Sequence, residues 1–172
     1  MEYNLVGKTF LQNNFSMYEV LLEYQLLIAT PKETTNDYVV SFAQKSDSES
    51  IRFLIDANFD PLIDVIPKES EISSYIDGGN VLVARAKNDA TSIVGLCISF
   101  AAGNSTKIHF LVVAKEVRGK GIAQNLLVAL RVKSKGKIQL WVKESNIGAI
   151  AFYLKFGFQV GANKRYFLKG QL

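Results

Sequence analysis

The pattern of apolar and polar positions divides the chain into a difficult first stretch and a more regular remainder. Ser16-x-x-Glu19 has the form of a helix capping box and leads into YEVLLEYQLLIA. That spacing predicts a helix over about 17–29, yet the run is apolar and aromatic enough to be a strand instead. Thr30-Pro31 ends it, because proline disfavours helix in the residue before it, and PKETTND reads as a polar linker. Tyr38–Ala43 is a short strand candidate. Ser46-Asp47-Ser48-Glu49 opens a helix with Ile51, Leu54 and Ile55 at helical spacing, and Asp60-Pro61 interrupts it. A second helix is predicted from about Lys68 to Asp77, stopped by Gly78-Gly79.

From Asn80 onward strands dominate. VLVARAK, the turn NDAT and SIVGLCISF read as a hairpin, and Gly103-Asn104-Ser105 turns the chain into the strand KIHFLVV. After Gly121, apolar Ile122, Leu126, Leu127, Leu130 and Val132 mark a helix that Gly136 stops. KIQLWV is then a strand. Strand, helix and strand at this spacing imply parallel neighbours with a right-handed crossover. Asn146–Phe156 is the last helix, and FQVG with RYFLKG predicts a closing hairpin around Ala162-Asn163-Lys164.

Composition narrows the class. The 172 residues are 48% apolar and 21% charged, which suits a folded globular chain and not a disordered one. No apolar run is long enough to span a bilayer, and MEYNLVGKTF has no basic segment followed by an apolar stretch. The single cysteine, Cys97, lies inside the apolar run IVGLCISF and excludes an intrachain disulfide. A cytoplasmic protein with no membrane partner is expected. The net charge of +4 is modest and its basic residues are scattered, so no nucleic-acid partner is expected.

The informative stretch is Ile108–Leu127. An apolar strand runs through a short charged loop into Arg118-Gly119-Lys120-Gly121-Ile122-Ala123 and then into a helix. The first N–H groups of a helix lack intrahelical partners and carry the positive end of the dipole, so this turn is an anion cradle suited to a phosphate or diphosphate. Two familiar phosphate loops are excluded. Lys120 is followed by Gly121 where a Walker loop needs Ser or Thr, and position 124 is Gln where the dinucleotide fingerprint needs Gly or Ala.

What fits is Arg-x-x-Gly-x-Ala, which resembles the acetyl-CoA loop of the GNAT acetyltransferase superfamily. A second signature lies downstream at the family's distance. Asn146–Phe158 reads N-x-x-A-x-x-F-Y-x-x-x-G-F. The resemblance covers about residues 80–160, with a looser match back to about 37. It implies a mixed, mostly antiparallel α/β sheet with a parallel splayed strand pair and helices on both faces. The domain would run from 37 to 172, with 1–36 as an extension packed on it.

The resemblance further implies acetyl transfer from acetyl-CoA to the primary amine of a small molecule, by direct attack in a ternary complex. A protein or peptide acetyltransferase and a non-catalytic acyl-CoA-binding module are the alternatives, and a homodimer is compatible with the family. Backbone groups of Gly119, Lys120, Gly121, Ile122 and Ala123, with the charge of Arg118, would hold the diphosphate. Leu111, Val112 and Val113 would bond the pantetheine arm, and Asn146, Ala149 and Phe152 fall on cofactor positions of the second signature. Asn146 is equally an N-cap. Tyr153 aligns with the general acid that protonates the leaving thiolate. The family has no invariant base. His109, the only histidine, shares a strand face with Leu111 and Val113 by the period of two, which makes it the candidate base. Glu116 and Glu144 are acidic alternatives. No metal site is expected.

Overall fold

The computed structural model describes residues 5–27 and 37–170. The chain divides into two compact units, 1–25 with 141–172, and 26–140. The described strands number seven and are mostly antiparallel, with one parallel pair. The architecture is therefore the mixed α/β class expected.

In the 26–140 unit, β2 (Tyr38–Phe42), β3 (Val81–Ala86), β4 (Asp89–Ala101) and β5 (Ser105–Val113) form an antiparallel run. β6 (Lys137–Lys143) joins β5 in parallel through Ser105↔Lys137, Thr106↔Ile138 and Lys107↔Gln139. One face of this sheet carries α2 (Ser48–Asp56) and α3 (Glu69–Asp77). Ile51, Leu54 and Ile55 of α2 and Ile72 of α3 pack there on Val81, Val83, Leu96, Ile98, Phe110 and Val112. The other face carries α4 (Ile122–Lys133). The two faces follow from strand alternation: Leu96 belongs to the first, whereas a Cβ added at Gly95 would meet Ile122 Cγ2 at 3.0 Å and Leu126 Cδ1 at 3.4 Å. Glycine at 95 is what lets α4 lie this close.

The other unit is assembled from distant parts of the chain. α1 (Leu5–Gln12) precedes β1 (Phe15–Leu26), which pairs antiparallel with β7 (Gln159–Gly170) from Phe15↔Gly170 to Gln25↔Gln159. α5 (Ile147–Phe156) completes it. The apolar run after Ser16 is thus a strand and not a helix. Val20, Leu21 and Tyr24 are buried on both sides of the pleat, which is why its periodicity was ambiguous. Residues 15–26 are paired with β7 within this unit. The linker of residues 31–37 lies, apart from Asp37, outside the described residues.

The closing hairpin is also corrected. β7 is one strand, and Gly161, Ala162 and Asn163 bulge between the pairs Leu22↔Lys164 and Tyr24↔Val160. The bulge is built around buried Glu23, whose carboxylate accepts a hydrogen bond from Asn163 Nδ2 at 2.7 Å. A Cβ on Gly161 would come within 2.6 Å of Glu23 Oε2. Turn-like residues there serve a side chain across the ladder, not a change of direction.

Candidate active site

The site begins with the edge of β5. Its parallel ladder with β6 stops at Lys107↔Gln139, yet β5 continues for six more residues, Ile108–Val113, still paired with β4 on its other edge. Ala114 N–H donates to Val94 O, which makes Gly95↔Val113 a non-hydrogen-bonded pair. The backbone N–H and C=O of Val113 therefore point away from β4. Alternation gives Leu111 the same orientation. Val112 is turned the other way. Its amide edge belongs to β4 and its side chain to the core under α2.

Above this edge, Lys115–Val117 form one 3₁₀ turn, and Gly119 and Gly121 adopt φ of +80° and +78°. Those values lie in the left-handed region that glycine enters without strain. A Cβ at Gly119 would meet nothing within 4 Å, so the space beside this glycine is open. Gly121 is the N-cap of α4. The N–H groups of Ile122 and Ala123 begin the helix and have no carbonyl within it to bind. Ile122, Leu126, Leu127 and Leu130 are fully buried and fix the axis along which those N–H groups point.

Arg118 braces the turn. Its Nε donates to Val113 O at 3.0 Å and its Nη2 donates to Asn58 Oδ1 at 2.7 Å. The guanidinium ties the start of the turn to the end of β5 and to the residues after α2. Asn58 was not legible as functional, since nothing in the sequence marks a residue 60 positions from its partner. Lys120 is exposed beside the turn. A groove of about 700 Å³ runs along α2 past Phe53 and Asn58 to Ala114–Glu116, but it includes none of the predicted site residues except the alternative acid Glu116.

His109 is displaced from its expected face by a bulge. The ladder passes from Ile98↔Phe110 to Ser99↔Ile108, leaving His109 as an extra residue on β5. Its ring lies 4.9 Å from that of Phe100, edge to face, and Phe100 packs against the core under α2 and α3. Leu111 and Val113 alternate with core residues Phe110 and Val112, so they lie on the α4 face. Period two fails here because one inserted residue changes the parity. Tyr75 of α3 continues the row, 4.8 Å from Phe100. Burial, with the Glu71 carboxylate second, pushes the Tyr75 phenol above its ordinary range. Buried Cys97, on β4, is pushed up to about 12 by desolvation and is an inert thiol.

In the other unit, Asn146 Oδ1 accepts from Ala149 N at 3.1 Å and caps α5. This supports the capping reading of Asn146 and engages the Ala149 amide. Gly157, at φ +107°, ends the helix, and Phe158 is buried. Tyr153 is 8% exposed. Its ring packs 5.3 Å from Phe152, 5.3 Å from Phe158 and 6.4 Å from Tyr24. The Gly-Phe of the signature thus builds an aromatic seat for the tyrosine. Glu144 pairs with Lys164 at 3.5 Å, an exposed ion pair.

Sequence comparison gives the class of protein to which this strand, turn and helix belong. Residues 37–158 match the model of the acetyltransferase (GNAT) family. The chain belongs to that family. No curated protein matches it significantly by sequence. Among solved structures, a GCN5-related N-acetyltransferase from Sphaerobacter thermophilus superposes with a TM-score of 0.72 at 16% identity, covering 96% of this chain. This chain spans only 57% of the length of that protein. Ard1 from Thermoplasma volcanium gives 0.63 at 19% identity, covering 79% of this chain and 99% of its own. The ribosomal-protein-S18-alanine N-acetyltransferase from Escherichia coli gives 0.57 at 17%, covering 71% of this chain and 77% of its own. At these identities the likeness is one of fold. Among the described residues, no helix is long and apolar enough to cross a membrane.

Proposed function

We propose that the chain transfers an acetyl group from acetyl-coenzyme A to a primary amine by direct attack, without a covalent enzyme intermediate. The observation that carries this reading is the edge of β5. Backbone groups of Leu111 and Val113 turn away from β4 beyond the point where the parallel ladder ends, directly below an open glycine turn and a helix N-terminus. A diphosphate fits the amides of Gly119, Gly121, Ile122 and Ala123, with Lys120 adding charge. An extended amide-bearing arm fits the strand edge. Val113 O already accepts from Arg118, so Val113 would contribute its N–H and Leu111 both groups.

Coenzyme A supplies the acetyl group as a thioester. The chain's own tasks are then positioning and proton transfer. Tyr153 is assigned as the acid that protonates the departing sulfur, on its place in the second signature and the rigid seat of its ring. A thiol titrates near ~8.5 and a phenol near ~10, so the transfer needs the hydroxyl held beside the sulfur. His109 is assigned as the group that takes the proton from the amine, directly or through water. The reading places the protein in the cytoplasm, with residues 37–172 as the catalytic domain. Isothermal titration with coenzyme A tests the cradle: micromolar-range binding is expected, and no binding would remove the cofactor. Release of free thiol with an amine panel tests turnover.

A further inference from the structure

We infer that the acceptor is an amine carried on a flat apolar body, an arylalkylamine, seated on the row Tyr75–Phe100–His109. The inference rests on the proposed function and deepens it. If the diphosphate sits at Gly119–Ala123 and the arm runs down the edge past Val113 and Leu111, its acyl end arrives at the next position of the strand. That position is the bulge at His109. An amine can reach a carbonyl held there from the face carrying α3, onto which the bulge has turned the imidazole.

That face is a row of ring surface. Tyr75 and His109 both stand edge to face against Phe100, with centroids at 4.8 and 4.9 Å. Phe59 meets Phe110 in the same way at 4.8 Å, on the residue next to His109. Phe100, Tyr75 and Phe59 are only partly buried, so the row presents surface as well as completing the core. Charged groups on the same elements include Lys107, exposed on the same strand, Glu71, which acts on Tyr75, and Asp77, which pairs with Lys45 at 3.0 Å. An amino sugar must find a partner for each hydroxyl it desolvates. The row offers it one phenol and one imidazole. An aromatic body gains from edge and face contacts along the row, and its ammonium gains from the ring faces before it gives up its proton.

The test compares phenethylamine, glucosamine and a short lysine peptide as acceptors in the thiol-release assay. Saturation-transfer NMR of phenethylamine binding, with and without coenzyme A, runs in parallel. The inference expects phenethylamine to exceed the others in kcat/KM by at least about tenfold, a margin of the size a shape-matched apolar pocket gives. F100A should narrow that preference by about tenfold, through KM and not kcat, while coenzyme A affinity holds. F100L and Y75F, which keep the core filled, should narrow it less. A preference for glucosamine or the peptide would overturn the inference while leaving the acetyltransferase reading intact. So would phenethylamine binding that F100A and F100L leave unchanged, or no phenethylamine binding at all. Loss of coenzyme A binding, or absence of thiol release with every amine, would instead strike the proposed function, and the NMR titration would still decide the acceptor surface.

Discussion

The edge of β5 and its α3-side face work by opposite means. The edge, with the turn above it, offers backbone: the amides of Leu111, Val113, Ile122 and Ala123 and two glycines that keep side chains out of the way. The face offers side chains, His109, Phe100 and Tyr75, arranged by a bulge. A backbone site depends on conformation, so few residue types satisfy it. A side-chain site can be rebuilt by substitution without moving the strand. On the proposed function, one strand holds a fixed cofactor on its edge and a changeable acceptor on its face.

This division can be broken experimentally. The largest effect is expected from G119D. Aspartate tolerates the left-handed conformation, so the turn should survive while a carboxylate enters the anion cradle. Coenzyme A affinity should fall about a hundredfold, roughly 2.7 kcal/mol, by isothermal titration, with the melting temperature little changed. An unaltered affinity would show that the turn does not hold the diphosphate. Next comes Y153F, which tests whether chemistry depends on a side chain where binding does not. On the order of a hundredfold loss in kcat is expected for a general acid, with coenzyme A binding intact. Undiminished turnover would remove the assignment.

R118M should be milder. It removes the tie from Val113 O to Asn58, and an exposed charge-assisted pair contributes about 1 kcal/mol. Roughly fivefold weaker coenzyme A binding is the expected readout. N146A should cost stability and not affinity. Loss of the cap on α5 is about 1 kcal/mol, a drop of roughly 2–4 °C in melting temperature. A large loss of coenzyme A affinity instead would revive the cofactor role of Asn146.

The smallest effect concerns acid. Burial works to raise the pKa of Glu19, but Ser145, the Val20 amide and Lys143 outweigh it, and the net shift is downward from 4.5. A carboxyl with a depressed folded pKa contributes stability above its unfolded value and loses it as pH falls through the folded one. E19Q should therefore flatten the fall in melting temperature below about pH 4.5. An unchanged acid limb would show that the carboxylate is not held.

The turn proposed for the cofactor was legible as a turn because it is written in glycines and in a strand-to-helix transition. Gly119, Gly121 and the buried Ile122–Leu130 stripe carry that pattern in order. The row proposed for the acceptor was not. In IHFLVV nothing marks the inserted residue that reverses the parity of His109, and Phe100 and Tyr75 come from elements brought together only by folding. The same limit explains β7, where Gly161 and Asn163 look like a turn until Glu23 is placed across from them. It also explains β1. Apolar residues on both faces of a strand erase the alternation by which a strand is recognised.

Because β1 meets β7, two segments some 155 residues apart in the polypeptide must find each other, as in Phe15↔Gly170. The ribosome makes the first of these strands well before the second. During synthesis, β2 to α4 can assemble while β1 waits with its hydrogen-bonding edge unmatched. Long-range pairing of this kind is slow and leaves an adhesive edge exposed meanwhile. The path to the folded state, and not its resting thermodynamics, is where a fault in β7 would be felt first.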